Sequence, residues 1–181
     1  MVNESTGTRR RQRLRASRLS LLAVATAVVA VAAVVAYAGG QGTGMGSLPA
    51  ELRAHIKDEK FGIVTAVRGL PLGVRNSLQA LFGNAALDIA DSGTDFQGSG
   101  GKADRSLPTR RLTTAGCSAD HCLVYYEIAG STPGWRVAVF HWTPDATRFE
   151  WGATAPQGLT SIEAVRKFVL SGTSKDETRR W

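Results

Sequence analysis

Arg110–Ala153, RRLTTAGCSADHCLVYYEIAGSTPGWRVAVFHWTPDATRFEWGA, sets the fold class. It breaks into four runs rich in β-branched and aromatic residues, at about Arg110–Gly116, Cys122–Ala129, Trp135–Trp142 and Thr147–Ala153. Between them stand Ser118-Ala119-Asp120-His121, Gly130-Ser131-Thr132-Pro133-Gly134 and Thr143-Pro144-Asp145-Ala146. These are turn formers, in loops of a length that joins neighbouring antiparallel strands. The stretch therefore predicts a β-meander.

Upstream of the meander, Leu48, Leu52 and Ile56 recur at helical spacing and predict a first helix over Ser47–Lys60. Phe61–Val67 is short and β-branched, which favours a strand. Pro71 opens a second predicted helix that runs to Phe82, with Val74, Leu78, Leu81 and Phe82 on one face and Gly83 at its end. Leu87–Ala90 reads as a short strand. Asp91–Leu107 is rich in Gly, Ser and Asp and reads as a long loop. On the other side of the meander, Ile162, Val165 and Val169 form the stripe of a final helix over Ser161–Ser171, ended by Gly172. Thr160 and Glu163 fit a capping box at its start. Helices, a meander and another helix predict an α+β domain with a four- to five-stranded antiparallel sheet and helices on one of its faces.

The region before this domain has a different composition. Residues 19–38, LSLLAVATAVVAVAAVVAYA, form an uncharged apolar run. As a helix it would cross roughly 30 Å, the hydrocarbon core of a bilayer. Arg9, Arg10, Arg11, Arg13, Arg15 and Arg18 precede it, against the single acid Glu4. Such asymmetry keeps the N-terminus in the cytoplasm and sends the downstream chain outward. Ala36-Tyr37-Ala38 also fits a signal-peptidase site, so the segment reads as a transmembrane signal anchor or as a signal peptide cleaved after Ala38. The chain accordingly divides into a basic segment 1–18, the apolar segment 19–38, a Gly-rich linker 39–46, an extracytoplasmic domain 47–172 and a polar tail 173–181.

This division also explains the net charge of +7. Six of the 22 Lys and Arg lie in the first 18 residues with one of the 15 Asp and Glu, which leaves 16 basic against 14 acidic residues beyond them. A nucleic-acid surface on the domain is not supported. The expected partners are the membrane, through residues 19–38, and an envelope protein, glycan or lipid.

Candidate chemistry gathers in the meander. Cys117 and Cys122 flank a tight loop, and in an oxidising compartment that arrangement predicts a disulfide. The competing reading is a metal site of Cys117, Asp120, His121 and Cys122, with His141 on the neighbouring strand. Ser118, Asp120 and His121 share a loop without a nucleophile-elbow sequence, so they make no triad. Glu127, Glu150 and Arg136 fall on adjacent strands and read as a solvated charge group. Both alternating sets of the third run are largely apolar. If helices cover one face only, an aromatic patch marked by Trp135 or Trp142, with His141 or Tyr126 nearby, faces outward and is suited to binding.

At Leu70-Pro71-Leu72-Gly73-Val74-Arg75, Leu87-Asp88-Ile89-Ala90-Asp91 and Cys122-Leu123-Val124-Tyr125-Tyr126-Glu127, the chain resembles small exported or membrane-anchored bacterial proteins of unassigned activity. The resemblance implies an exported domain of unassigned activity and carries over no catalytic residues. The sequence carries no cofactor motif. A noncatalytic, membrane-tethered envelope-binding domain is the leading expectation, and an envelope enzyme, hydrolytic or metal-dependent, working through the Cys117–His121–Cys122 region is the alternative.

Overall fold

The four runs are strands, and a fifth strand joins them. The computed structural model describes residues 47–98, 104–130 and 133–172, so the apolar segment 19–38 and the tail lie outside the described residues. In chain order the elements are α1 (Ala50–Asp58), β1 (Gly62–Val64), α2 (Leu72–Phe82), β2 (Arg110–Cys117), β3 (His121–Ile128), β4 (Gly134–Trp142), β5 (Thr147–Ala155) and α3 (Ile162–Ser171). The sheet is antiparallel throughout, in the order β1-β2-β3-β4-β5. No helix among the described residues is long and apolar enough to cross a membrane.

Register sets which residues share a face. His121 pairs with His141, Leu123 with Val139, Tyr125 with Val137 and Glu127 with Trp135. Because side chains alternate along a strand, these eight residues lie on one face. Its middle is buried under α1 and α3, where Leu52, Ile56, Val165 and Val169 pack on Leu123, Tyr125, Val139 and Trp151. The opposite face carries Leu112, Val124, Tyr126, Ala138 and Phe140, and α2 covers it with Val74, Leu78 and Phe82. Gly73 lets α2 sit close to the sheet, since a Cβ there would stand 2.1 Å from Thr147 Oγ1.

Helices on both faces correct the expectation of one covered face. The physical reason is in the strands themselves: two apolar alternating sets are the pattern of a sheet buried on both sides. Tyr126 and Phe140 are fully buried beneath α2. Trp135 and Trp142 are each half-buried, against the α1/α3 core and the α2 core respectively.

Two smaller expectations change. Leu87–Ala90 forms only an isolated bridge, Ala90 to Arg111. Asp88, within this segment, instead accepts hydrogen bonds from the Thr109 amide at 2.7 Å and from Arg110 Nη1 at 2.9 Å, and side-chain bonding of this kind competes with a strand ladder. At α3 the cap is Ser161, whose hydroxyl accepts from the Ala164 amide at 3.2 Å. That places Ala164 where the capping box would have Glu163, which pairs with Arg166 instead. Finally, α1 and α3 are latched at both ends. Arg53 donates to the Leu170 carbonyl, and Arg166 donates to the carbonyls of Ile56 and Lys57. Each arginine satisfies carbonyls that a helix end leaves unpaired and complements the dipole there.

Candidate functional site

The α1/α3 face has a polar constellation at each end. At the hairpin end, His121 opens β3, and its partner His141 lies across on β4 with the rings 5.4 Å apart. Glu150 arrives from β5. It is the extra residue of a β-bulge, because Trp151 pairs with Val139 while Phe149 pairs with the next residue, Phe140. A bulge re-aims a side chain that strict alternation would place elsewhere. Glu59, the residue after α1, closes the site from the helix layer.

These groups form one chain of contacts. Glu59 Oε1 accepts from His121 Nδ1 at 2.6 Å, and the other Glu59 oxygen accepts from the Ser118 hydroxyl. His121 Nε2 lies 3.3 Å from Glu150 Oε2. Arg148 holds the remaining Glu150 oxygen from Nε at 3.0 Å and Nη2 at 2.7 Å. Glu150 Oε2 is buried and receives no hydrogen bond of good geometry among the described residues. His55 stands at the rim, its ring 5.5 Å from that of His121. All three histidines of the chain thus converge at this end.

Burial works against a charge on His121, but the carboxylates of Glu150 and Glu59 outweigh it and raise its pKa above the ordinary histidine value. Burial alone would raise the Glu150 carboxyl. His121 and Arg148 outweigh that and hold it below the usual carboxylate range. Two groups pushed in opposite directions by each other make a tightly coupled pair.

Cys117 and Cys122 are disulfide-bonded across the hairpin, with their Cα atoms 4.1 Å apart. The set Cys117, Asp120, His121 and Cys122 therefore offers no thiolate to a metal or a substrate. Alternation also separates it: Cys122 packs in the α2 core, and Asp120 is exposed in the turn. Among the described residues, the metal-capable group that the fold assembles is His121, His141 and Glu150, whose ligand atoms lie within 4.8 Å of one another.

At the other end of the same face lies a cleft of about 360 Å³. Trp135 lines it with Arg111 and Glu127, and Ser92 and Gln157 supply polar groups from the flanking loops. Arg111 Nη2 and Glu127 Oε2 are 2.8 Å apart, and the guanidinium lies 4.3 Å over the Phe96 ring. The first part of the predicted long loop is thus a wall of the cleft. It is held by Asp91, which accepts from the Val67 amide at 2.6 Å, and by Ser92, whose hydroxyl donates to the Thr113 carbonyl at 3.2 Å.

The residues expected to mark one binding patch are dispersed. Trp135 reaches the cleft, whereas His141 belongs to the hairpin end, about 20 Å along the strand. Trp142 lies under the α2 face with its indole N–H donated to the Ser118 carbonyl at 3.2 Å. Tyr126 is buried edge-on against Phe82. Glu127 and Glu150 stand at opposite ends and form no pair, each bound to its own arginine. Arg110-Arg111, after Leu107-Pro108, reads from sequence as a strand entrance or an anion contact, whereas sequence patterning does not mark Glu59 or His55 as site residues. Their only signal is that they are polar residues bordering predicted elements.

Comparisons with protein-family models, with curated proteins and with solved structures return no match.

Proposed function

We propose that this chain is a membrane-tethered, extracytoplasmic binding domain of the bacterial envelope, and that the Trp135 cleft takes its ligand, an envelope glycan. The observation that carries the reading is a half-buried indole at the side of an open cleft whose mixed lining includes Arg111, Glu127, Ser92 and Gln157. An indole face stacks on the C–H face of a sugar ring, while Arg111, Glu127, Gln157 and Ser92 offer donors and acceptors for its hydroxyls. The volume falls within the range of small-ligand sites. Tethering by residues 19–38 and a short Gly-rich linker raises the local concentration of envelope material, so modest affinity suffices.

The test uses full-length protein in detergent micelles. Soluble polysaccharide released from the host envelope is titrated while indole fluorescence and heat are recorded. Trp135→Ala should weaken binding at least about tenfold, as for a hot-spot aromatic. Trp142→Ala, on the other face, should bind like the parent protein. Equal affinity in Trp135→Ala and the parent would remove the cleft from the reading. A reporter fused after residue 60 tests the tethering and should be active only in an extracytoplasmic format.

A further inference from the structure

We propose that the hairpin end is a divalent transition-metal site, with His121 Nε2, His141 and Glu150 as protein ligands and zinc as the best-matched ion. The inference stands on a different observation from the cleft and does not depend on it. Two imidazoles and a carboxylate from three adjacent strands are a ligand set that zinc accepts, and three protein ligands leave a further position open.

The second observation is the way these ligands are held. Glu59 accepts from His121 Nδ1 at 2.6 Å, which fixes the proton on that nitrogen and directs Nε2 inward. Glu59 is itself anchored by Ser118. A carboxylate behind a histidine in this manner orients the ring and raises its basicity toward a metal. Glu150 is held likewise: Arg148 fixes one oxygen, and the other, Oε2, is buried and faces His121 Nε2 at 3.3 Å. A buried carboxylate oxygen oriented in this way is stabilised when a cation meets it.

The distances fit with a small adjustment. Zinc bonds of about 2.0–2.1 Å put tetrahedral ligand atoms roughly 3.3 Å apart. His121 Nε2 and Glu150 Oε2 are already at 3.3 Å. His141 closes the remainder from within the 4.8 Å spread by turning a half-buried ring. The Cys117–Cys122 disulfide secures the hairpin beside the ligands and leaves the site free of oxidisable thiols.

The experiment uses the full-length protein in detergent, stripped with a chelator and titrated with zinc alone against a chromophoric competitor. Cobalt(II) is then substituted to read coordination from its visible d–d spectrum. One ion per chain is expected, with d–d bands of tetrahedral or five-coordinate intensity. His141→Ala should lower zinc affinity more than tenfold without moving the melting curve of the metal-free protein, because this ring is half-buried and contributes little to the core. Glu59→Gln should lower it by about 10- to 100-fold, the usual effect of losing such a supporting carboxylate. His55→Ala should leave it unchanged. Six-coordinate cobalt bands, or zinc held equally well by His141→Ala, would overturn the proposal. Equal losses in His55→Ala and His141→Ala would overturn the ligand assignment.

Discussion

The two ends of the α1/α3 sheet face are built from similar residues and come out differently. At the hairpin end, Ser118, Glu59, His121, Glu150 and Arg148 are joined in one run of contacts, with the His121 side chain only 5% exposed. At the cleft end, the Arg111–Glu127 pair keeps 34% and 17% of its side chains exposed, and open volume remains beside Trp135. The strands alone do not make this difference, because both ends lie on the same sheet face. It comes from the second layer. The hairpin end is closed by the residue just past α1, while the cleft end is rimmed by the loops at Ser92 and Gln157. A helix terminus turns polar strand ends into a fixed constellation; a loop rim leaves open volume beside them.

Three measurements put this contrast between the ends at risk. The largest effect is expected at the apolar middle that both ends share. Trp151 is 1% exposed there, and Trp151→Ala should cost about 3–5 kcal/mol. Chemical denaturation should show both ends failing in one transition. Loss of amide protection at one end alone would mean that they are separate units.

A smaller and one-sided effect is expected from Cys117→Ser with Cys122→Ser. Releasing so short a loop should cost about 2 kcal/mol by chain entropy. Hydrogen exchange should find the weakening concentrated around His121 and His141, with the amides near Trp135 little changed. Equal weakening at both ends would show that the disulfide supports the whole domain and not the hairpin end in particular.

The smallest effect probes the cleft end. The Tyr125 hydroxyl donates to the Pro156 carbonyl at 2.8 Å, next to the Gln157–Gly158 wall of the cleft. Tyr125→Phe should cost about 1 kcal/mol. Burial, helped by the Glu127 charge, raises the phenol pKa against the loop amides of Leu159 and Gly158, which lower it. A raised folded-state pKa means that this contribution is complete below the unfolded value of about 10 and is lost as pH rises through the folded one. Alkaline melts of the parent should therefore fall more steeply than those of the Phe variant. Parallel curves would show that the phenol does not couple to folding.

Much of the fold was legible because its signals are local. The β-rich runs at Arg110–Gly116, Cys122–Ala129, Trp135–Trp142 and Thr147–Ala153 match β2 to β5 within two residues at each end. Ile63 and Val64 fall in β1, and Gly83 and Gly172 end their helices with φ of 68° and 64°. The disulfide was legible from two cysteines around a tight turn. The site was legible only in fragments. His141 was placed on the strand beside the turn that holds His121, but Glu150 depends on a bulge that no pattern in β5 announces. Glu59 depends on how α1 docks, 62 residues before its partner His121. Ser161 displaced the expected Thr160 cap because helix ends move by one residue at small cost.

Sequence alone specified the four meander strands, their order, the helices and their apolar stripes, since period and turn chemistry act over a few residues. It also specified that both faces of the central strands are apolar, which is why no sheet face was left bare for binding. Tertiary packing was needed to settle which helix covers which face, that α2 lies opposite α1 and α3, and that Glu59 closes one end while the other stays open beside Trp135. Those outcomes depend on docking between layers, where side chains far apart in the chain compete for the same space and the same protons, and no local pattern encodes the winner.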